Sequence, residues 1–242
     1  MTDWLERAEL LVKKEGLEKL LNAKILVVGL GGVGSFAAEF LVRAGVGAMT
    51  IIDGDTVDIT NINRQLPATW SSIGKDKVEV MKQRLLDINP SLKLTPINEF
   101  LNPDRMADII ALEKFDYILD CIDSLSPKIS LIKTAKRNKA KIISAMGAGG
   151  KTDPKQVTVA DISKTRNCFL AKHIRKRLRK DGINKGFKCV FSTEIQKEDS
   201  LKMTDGTHYK RSFYGTISYM PALFGLYAAA EVVNYIVNKK KE

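Results

Sequence analysis

The fold is decided by residues 24–53, whose sequence is KILVVGLGGVGSFAAEFLVRAGVGAMTIID. The first five residues form a short apolar run, which predicts a strand that is buried on both faces. A glycine-rich turn follows, then apolar positions at helical spacing over residues 35–44, then a second apolar run that ends in Asp53. The segment therefore predicts a strand–helix–strand unit in which the two strands run parallel.

The turn between the first strand and the helix has the spacing of a nucleotide-binding loop. Gly29, Gly31 and Gly34 match the pattern GxGxxG, and Gly32 lies inside it. Such a turn needs residues without a Cβ atom, because phosphates approach the bare amides at the helix N-terminus. Asp53 stands where a carboxylate accepts hydrogen bonds from ribose hydroxyls. These five residues are predicted to bind a nucleotide, and a glycine-rich turn without a ligand is the alternative.

Outward from this unit, short apolar runs alternate with helical patterns. Strands are predicted at 92–97, 117–121 and 141–145, and helices at 76–88, 103–113 and 127–138. The alternation predicts an α/β fold: a Rossmann-like, doubly wound, mainly parallel sheet with a C-terminal α+β extension. We divide the chain into a helical segment (1–22), a nucleotide-binding Rossmann-like domain (23–150) and a C-terminal region (151–242) packed on the same sheet.

The basic excess of the chain lies in its C-terminal region. The whole chain carries 39 Lys and Arg against 28 Asp and Glu, a formal net charge of +11. Residues 1–150 hold 20 basic and 19 acidic residues, whereas residues 151–242 hold 19 basic and 9 acidic residues. Such an excess favours a polyanionic partner, and a solvated basic face kept for solubility is the alternative.

A basic helix is predicted at residues 171–180, AKHIRKRLRK. Lys172, Arg175, Lys176 and Arg179 recur in it at helical spacing, so they share one face. A stripe of this kind suits contact with a nucleic-acid phosphate backbone, which positions the nucleic acid without reading its sequence. A solvated helix face is again the alternative.

Residues 196–211 are predicted to form a loop that contains Met203 and Tyr209, with Phe213 and Tyr214 just beyond it. Side chains of this kind stack against an unpaired base in many RNA-binding sites. Packing in the core or in a dimer interface is an equally good interpretation.

The composition excludes several classes of protein. The three cysteines, Cys121, Cys168 and Cys189, are too few and too scattered for a disulfide framework. No CxxC pair is present, which argues against a structural zinc site. Cys121 and Cys189 are predicted as core residues, with an acyl- or sulfur-accepting role left open for Cys189.

The longest apolar stretch, residues 219–237, is interrupted by Pro221, Glu231 and Asn234. Because a membrane span needs about 20 mostly apolar residues, we predict a buried helix here and no membrane association. The resulting expectation is a cytoplasmic protein.

Cations and amides crowd the segments that follow the second strand. Arg64 and Lys77 are placed to neutralise a triphosphate, with Lys75 as a competitor for the role of Lys77. Asp123, at the carboxyl end of another predicted strand, is placed to hold Mg²⁺ through the phosphates. This pattern favours nucleotidyl transfer over hydride transfer, because neither histidine of the chain lies near these segments.

Five motifs in order resemble the ThiF/MoeB/HesA superfamily, which has the fold of the ubiquitin-activating enzymes. They are GLGGVG (29–34), DGDTVD (53–58), NINRQ (61–65), GKDKVE (74–79) and DCIDS (120–124). Members of this superfamily bind ATP with Mg²⁺ and adenylate a carboxylate. The resemblance therefore implies ATP and Mg²⁺ as the cofactors of this chain.

The resemblance also implies roles for individual residues. It makes Asp53 the ribose ligand and Lys77 the phosphate-binding lysine, and it makes Asp123 the aspartate associated with magnesium. It assigns Asn61, Asn63 and Arg64 to the phosphates, and Asp55 and Ser124 to the same nucleotide site. Arg7 resembles an N-terminal arginine that reaches the partner's ATP in family dimers. Arg64, Lys77, Asp123 and Arg7 are the expected catalytic residues.

The departures from the superfamily pattern select one branch. Members that serve ubiquitin-like proteins commonly carry CxxC pairs, and DSLSPK (123–128) replaces the DN-x-x-x-R pattern of ThiF and MoeB. With GAGGK (147–151) and CVFSTE (189–194), the chain resembles the TcdA branch, the tRNA threonylcarbamoyladenosine dehydratases. That resemblance implies ATP-dependent cyclisation of N6-threonylcarbamoyladenosine in tRNA. It also implies a tRNA partner for the basic region, a homodimer and a link to a cysteine desulfurase system.

Three other functions stay open at this point. The first is adenylation of a ubiquitin-like sulfur carrier, as in thiamin or molybdopterin synthesis. The second is an NAD-dependent oxidoreductase, which would use Asp53 without a triphosphate pocket. The third is an RNA-binding module without catalysis that keeps a degenerate Rossmann core.

Overall fold

The computed structural model of the protein describes residues 3–203 and 212–239. The helices are α1 (Glu6–Asn22), α2 (Gly34–Arg43), α3 (Lys77–Ile88), α4 (Pro103–Leu112), α5 (Leu125–Arg137), α6 (Phe169–Leu178) and α7 (Tyr219–Asn238). The strands are β1 (Lys24–Val28), β2 (Ala48–Ile52), β3 (Lys93–Ile97), β4 (Tyr117–Asp120), β5 (Ile142–Ala145), β6 (Val157–Asp161), β7 (Lys188–Ser192), β8 (Leu201–Met203) and β9 (Ser212–Tyr214).

Seven of these strands form one sheet in the order β3-β2-β1-β4-β5-β7-β6. All neighbours in it pair in parallel except β6, which is antiparallel to β7. The strand order reverses between β1 and β4, and such a reversal opens a crevice at the carboxyl ends of the strands. The glycine-rich turn, Asp53 and the segment after β4 all lie at this edge, because each directly follows one of the central strands.

Helices cover both faces of the sheet. On one face α2, α3 and α7 bury residues such as Leu41 and Phe224, and on the other α4, α5 and α6 bury Ile109, Leu131 and Ile174. The predicted α/β class and the mainly parallel, Rossmann-like sheet are confirmed. β6 and β7 belong to residues 151–242, so the basic region contributes two strands to the same sheet as residues 23–150.

Helix α7 is the one helix in the described part of the chain that is long and apolar enough to cross a membrane. It packs closely on α2, since a Cβ atom added at Gly225 would lie 2.5 Å from the Val33 carbonyl oxygen. Met220, Phe224 and Val232 are fully buried in the core on this side of the sheet. The helix therefore has a packing role, in agreement with the buried helix predicted at 219–237.

Lys13 has positive φ (63°), so the N-terminal helix is bent within α1, which lies in the helical segment predicted at 1–22. Two local features differ from the sequence-based prediction. The basic helix ends at Leu178 and continues as a short 3-10 turn, Arg179–Asp181. The predicted loop at 196–211 was wrong in part, because β8 pairs with β9 in an antiparallel ribbon. Tyr209 lies outside the described residues.

Candidate active site

The glycine-rich turn connects β1 to α2 with little space around three of its glycines, Gly29, Gly32 and Gly34; a Cβ atom at Gly32 would lie 2.9 Å from Pro221 Cβ. Gly29 has φ of +92°, and a Cβ atom there would lie 2.9 Å from the Cys121 carbonyl oxygen. A Cβ atom at Gly34 would lie far inside the van der Waals distance of the Gly29 carbonyl oxygen. Gly31 is different, because its nearest neighbour would be the Gln65 side chain at 3.7 Å. Gly31 therefore leaves open space beside the first turn of α2, where backbone amides are able to meet an anion.

Asp53 follows β2 and lies beside this turn. Its Oδ2 accepts a hydrogen bond from the Leu30 amide (2.6 Å), and its Oδ1 accepts one from the Asp55 amide (2.8 Å). Burial raises the pKa of Asp53, while the Lys77 ammonium and the two amides act against that rise. Each carboxylate oxygen keeps a second lone pair, so the group is able to accept hydrogen bonds from ribose hydroxyls as well.

Lys77 is the first residue of α3 and reaches back to the DGDTVD segment. Its Nζ forms an ion pair with Asp55 Oδ2 at 2.9 Å, and only 6% of its side chain is exposed. Its backbone amide also donates to the Asp55 carbonyl oxygen (3.1 Å). Lys75, the competitor predicted from the sequence, is exposed. The geometry therefore favours Lys77 as the cation that is fixed in place at this edge.

The NINRQ segment supplies a second cation. Arg64 Nη1 donates to the Thr60 carbonyl oxygen (2.7 Å) and to Asn63 Oδ1 (2.9 Å). Burial lowers the pKa of Arg64, and the nearby carboxylates of Asp123 and Asp58 oppose that effect. The interaction between the charges of Arg64 and Asp123 shows that the segments after β2 and after β4 lie close together.

The two asparagines of this segment have different surroundings. Asn61 is buried, and its Oδ1 accepts a hydrogen bond from the Asp58 amide (3.2 Å) in a capping box. Asn63 is exposed and donates from Nδ2 to the Thr216 carbonyl oxygen (2.9 Å). Asn61 thus shapes the turn that carries Arg64, while Asn63 connects this turn to the chain that enters α7.

Asp123 and Ser124 close the opposite side of the crevice, where β4 ends. The Ser124 hydroxyl donates to Asp123 Oδ1 at 3.3 Å. Within the described ranges, no group of three or more His, Cys, Asp or Glu is arranged to hold a metal. One carboxylate at the edge nevertheless fits Mg²⁺, because this ion is usually bound by one or two carboxylates together with nucleotide phosphates.

Arg7 lies apart from this constellation. It is on the exposed face of α1, and within residues 3–203 and 212–239 no hydrogen bond or ion pair joins it to the nucleotide-site motifs. The structure therefore brings together the glycine-rich turn, Asp53, Asp55, Asn63, Arg64, Lys77, Asp123 and Ser124, but not Arg7.

Gln65, the last residue of the NINRQ motif, was not predicted as a site residue. Its side-chain amide lies next to Gly31, and its Oε1 is buried with no hydrogen-bond partner in the described structure. A buried carbonyl oxygen of this kind is costly unless it meets a donor. The atom beside Gly31 is the donor Nε2, which is able to bind a phosphate oxygen, so Gln65 is a further candidate ligand of the nucleotide.

Two segments that select the branch, GAGGK and CVFSTE, meet in the structure. The Lys151 side chain is buried, and its Nζ donates to the carbonyl oxygens of Asn167 (3.3 Å), Ser192 (3.0 Å) and Glu194 (2.7 Å). The Glu194 carboxylate in turn accepts from the amides of Thr152 and Asp153. Lys151 and Glu194 thus connect the segment that follows β5 to the segment that follows β7. No local sequence pattern indicated this connection.

The basic stripe on α6 is only partly available to a ligand. Lys172, Lys176 and Arg179 are exposed. Arg175 is half-buried and donates from Nη1 to the carbonyl oxygen (2.9 Å) and the hydroxyl of Thr165. The helix packs on the sheet through Ala171, Ile174 and Leu178. Arg175 therefore has a structural partner, while the other three residues present their charges to solvent.

The cysteines are poorly suited to nucleophilic chemistry. Cys189 is fully buried, and burial raises the pKa of its thiol well above the usual value. Burial also raises the pKa of Cys121 to about 12. Because the thiolate is the reactive form, neither group is activated in this fold.

The model of the ThiF family matches residues 5–242. A tRNA threonylcarbamoyladenosine dehydratase of Bacillus subtilis (strain 168) is 40% identical over 240 residues, covering 96% of this chain and 94% of that protein. A molybdopterin-synthase adenylyltransferase of Salmonella typhimurium is 38% identical over 155 residues, which cover 64% of this chain.

Solved structures give the same result. The crystal structure of Escherichia coli tRNA N6-threonylcarbamoyladenosine dehydratase, TcdA, in complex with ATP has a TM-score of 0.88 and 37% identity. The similarity covers 97% of this chain and 94% of that one. The complex of the same enzyme with AMP matches equally well.

Proposed function

The chain belongs to the ThiF family, and we propose that it is an ATP-dependent enzyme that dehydrates N6-threonylcarbamoyladenosine in tRNA to its cyclic form. The observation that carries this proposal is the extent of the similarity, which includes the basic region as well as the nucleotide site. The dehydratase of Bacillus subtilis matches 96% of the chain, whereas the molybdopterin-synthase adenylyltransferase matches 64% of it. Adenylation of a sulfur carrier is therefore the weaker alternative.

The reaction follows from the chemistry of the substrate. The threonyl carboxylate of the modified base is a poor electrophile, and transfer of AMP from ATP converts it to a mixed anhydride with release of pyrophosphate. The neighbouring carbamoyl oxygen then attacks the activated carbonyl carbon, AMP leaves with the oxygen that the carboxylate loses, and the carbamoyl N–H releases its proton to solvent. Because both groups belong to one nucleoside, proximity is able to supply as much as about 7–11 kcal/mol. A protein nucleophile is not required, in agreement with the buried cysteines.

The protein's part in this reaction is to place charges. Asp53 binds the ribose, and the glycine-rich turn at the N-terminus of α2 faces the phosphates. Lys77 and Arg64 stabilise the charge that develops on the α-phosphate, since both are held by partners at the same edge. The ATP- and AMP-bound relatives support a nucleotide in this crevice.

The proposal includes Mg²⁺ as a partner of ATP. Asp123 would hold the ion, with Ser124 beside it. When bound, Mg²⁺ neutralises phosphate charge and makes pyrophosphate a better leaving group. Chelation of Mg²⁺ with EDTA in a turnover assay tests the requirement for the ion. Activity that survives complete chelation would contradict this requirement.

We assign tRNA binding to the C-terminal region, residues 151–242, with the exposed residues of α6 at its centre. Its charge balance of 19 basic to 9 acidic residues is that of a polyanion-binding surface. Residues 23–150 are the ATP-binding unit in this assignment, and residues 1–22 are the helical segment in front of it.

Neutralising three residues of α6 tests this surface. The variant Lys172→Gln/Lys176→Gln/Arg179→Gln is expected to weaken tRNA binding by at least about tenfold and to flatten the salt dependence of log Kd by about 2–3, because each lost phosphate contact removes about 0.9. Arg175 stays unchanged, since its contacts with Thr165 hold the helix in place. Binding is measured by fluorescence anisotropy over a salt series.

A matched triple variant, Lys14→Gln/Lys93→Gln/Lys114→Gln, removes the same charge from exposed positions outside the basic region. It should keep the tRNA affinity and most of the salt slope. If both variants lost the same tRNA affinity and salt slope, the net charge of the protein would be the cause, and the charged face of α6 would be only a solvated surface.

The remaining assignments concern assembly and location. We propose a homodimer in which Arg7 reaches the partner's nucleotide, a cytoplasmic location and a functional link to a cysteine desulfurase. Mixing an Arg7→Ala protein with a Lys77→Ala protein tests the first of these, because a dimer with complementary sites recovers part of the activity. Cell fractionation tests the cytoplasmic location, and recovery of the protein with the membranes would contradict it. Co-purification tests the link to a cysteine desulfurase, and the absence of a desulfurase from the purified material would contradict that link.

Pyrophosphate exchange separates the two candidate substrates. With ATP and Mg²⁺, exchange should be stimulated by tRNA that carries threonylcarbamoyladenosine and not by a carrier protein that ends in Gly-Gly. The opposite pattern would favour adenylation of a sulfur carrier.

A further inference from the structure

Below the nucleotide-binding edge, three polar side chains are completely buried against one another. Asp120 is the last residue of β4, Lys128 lies in α5 and Ser144 lies in β5. Lys128 Nζ forms an ion pair with Asp120 Oδ2 at 2.8 Å, and both side chains have 0% exposure. The Ser144 hydroxyl donates to the same oxygen at 2.6 Å. None of these three residues has a role in the function proposed above.

Stability alone does not account for this arrangement. Moving two charges out of water costs more than their attraction returns in many proteins, and well-packed apolar residues often replace a buried ion pair without loss. Burial raises the pKa of Asp120, and Lys128 with its hydrogen bonds opposes that rise. The hydrogen bonds between the pair and its neighbours indicate what it holds in place.

The pair holds both ends of the turn that carries Asp123. At the start of this turn, Asp120 Oδ1 accepts a hydrogen bond from the Ile122 amide (3.2 Å). At its end, the Lys128 amide donates to the Ser124 carbonyl oxygen (3.3 Å), while Lys128 Nζ also donates to the Asp120 carbonyl oxygen (3.4 Å). The ion pair thus joins the residue before the turn to the first turn of the following helix.

The opposite side of the turn is in contact with the glycine-rich loop. A Cβ atom at Gly29 would lie 2.9 Å from the Cys121 carbonyl oxygen, and one at Gly34 would lie 3.0 Å from Cys121 Cβ. Cys121, the first residue of the turn, therefore lies between the nucleotide loop and the buried pair. A shift of the pair would be transmitted to Asp123, because only two residues separate Asp120 from Asp123 and the Ile122 amide is bound to Asp120.

We propose that Asp120, Lys128 and Ser144 are positioning residues that hold Asp123 in the geometry needed for the reaction of bound nucleotide. This inference rests on the role of Asp123 in the proposed function. Outer partners of a metal-associated carboxylate commonly change metal affinity or activity by about 10–100-fold when they are removed. The three residues are expected to act in the same way here, without touching the nucleotide.

The test compares variants that remove different parts of the buried arrangement of Asp120, Lys128 and Ser144. Asp120→Asn/Lys128→Met removes both charges at similar volume, Lys128→Arg keeps the charge, and Ser144→Ala removes one hydrogen bond. Thr134→Val, a buried position on the same helix, serves as the control. For each protein we would measure Tm, turnover of modified tRNA, and the Mg²⁺ concentration that gives half-maximal ATP binding.

The double variant should keep a Tm close to that of the wild type while its half-maximal Mg²⁺ concentration rises about tenfold and its kcat falls by about tenfold or more. ATP binding without Mg²⁺ should change less than about twofold, because the residues act on Asp123 alone. Lys128→Arg should recover most of the kcat, Ser144→Ala should show a smaller change in the same direction, and Thr134→Val should match the wild type.

Wild-type Mg²⁺ dependence and kcat in the double variant would overturn the inference. If the double variant does not fold, wild-type values in Ser144→Ala would overturn it in the same way. The ATP-binding readout needs no tRNA, so it still decides the inference if the wild-type enzyme fails to convert modified tRNA. That second failure would instead contradict the proposed function.

Discussion

Replacing Lys77 with Ala is expected to lower kcat/KM for conversion of modified tRNA by about 10²–10³-fold, the loss that follows removal of one group aimed at developing charge. Lys77 is suited to such a role because its ammonium is fixed, with 6% of the side chain exposed and Asp55 at 2.9 Å. A cation that is already held in place needs no reorganisation when charge develops on the phosphate. Most of the loss should therefore appear in kcat, with a smaller effect on the KM for ATP.

Lys75→Ala is the matched control for this prediction. Lys75 lies two residues earlier and is exposed, so its loss should change kcat/KM less than about threefold. Single-turnover measurements of AMP formation report the chemical step directly. A larger loss in Lys75→Ala than in Lys77→Ala would reverse the assignment of the phosphate-binding lysine.

Gly34→Ala is expected to destabilise the protein by about 3–5 kcal/mol, among the largest effects of a single substitution. A methyl group at this position would collide with the Gly29 carbonyl oxygen and approach Cys121 Cβ at 3.0 Å. Neither neighbour is able to move easily, because the Gly29 carbonyl oxygen belongs to the backbone and Cys121 directly follows the central strand β4. For a chain of this size the Tm should fall by about 6–20 °C, and ATP binding should be lost with the geometry of the turn.

Gly31→Ala should behave differently although it changes the same motif. A Cβ atom there would have ordinary van der Waals contact with Gln65 at 3.7 Å, so the Tm should stay close to that of the wild type. ATP binding should nevertheless weaken, because the methyl group would occupy space that phosphates need. Thermal unfolding and calorimetric titration with ATP separate the two effects. Equal loss of Tm in both variants would contradict this difference.

The strand–helix–strand unit was predictable because its signals are local. The apolar run at 24–28, the glycine spacing and the carboxylate at Asp53 each depend on residues that are neighbours in sequence, and the structure places them as the spacing indicated. The ion pair between Lys77 and Asp55 was not predicted, although both residues lie in motifs that were recognised. The mainly parallel sheet could be predicted for the same reason, since helices alternate with buried strands.

The rest depends on contacts between distant residues. Lys151 binds carbonyl oxygens 16 to 43 residues away, and nothing in GAGGK indicates where they would be. Arg175 matched the stripe by helical spacing, but Thr165 lies close enough to bind it. The ribbon of β8 and β9 escaped prediction because its strands are three residues long. In each case tertiary packing, and not local propensity, determined the outcome.

The most direct test is a reaction of the protein with ATP, Mg²⁺ and tRNA that carries N6-threonylcarbamoyladenosine, followed by mass spectrometry of the released nucleosides. The account predicts that this nucleoside loses the mass of one water, with AMP and pyrophosphate formed in equal amounts. Lys77→Ala should leave the nucleoside almost unchanged over the same time. An unaltered nucleoside mass with wild-type protein that binds ATP would contradict the proposed function.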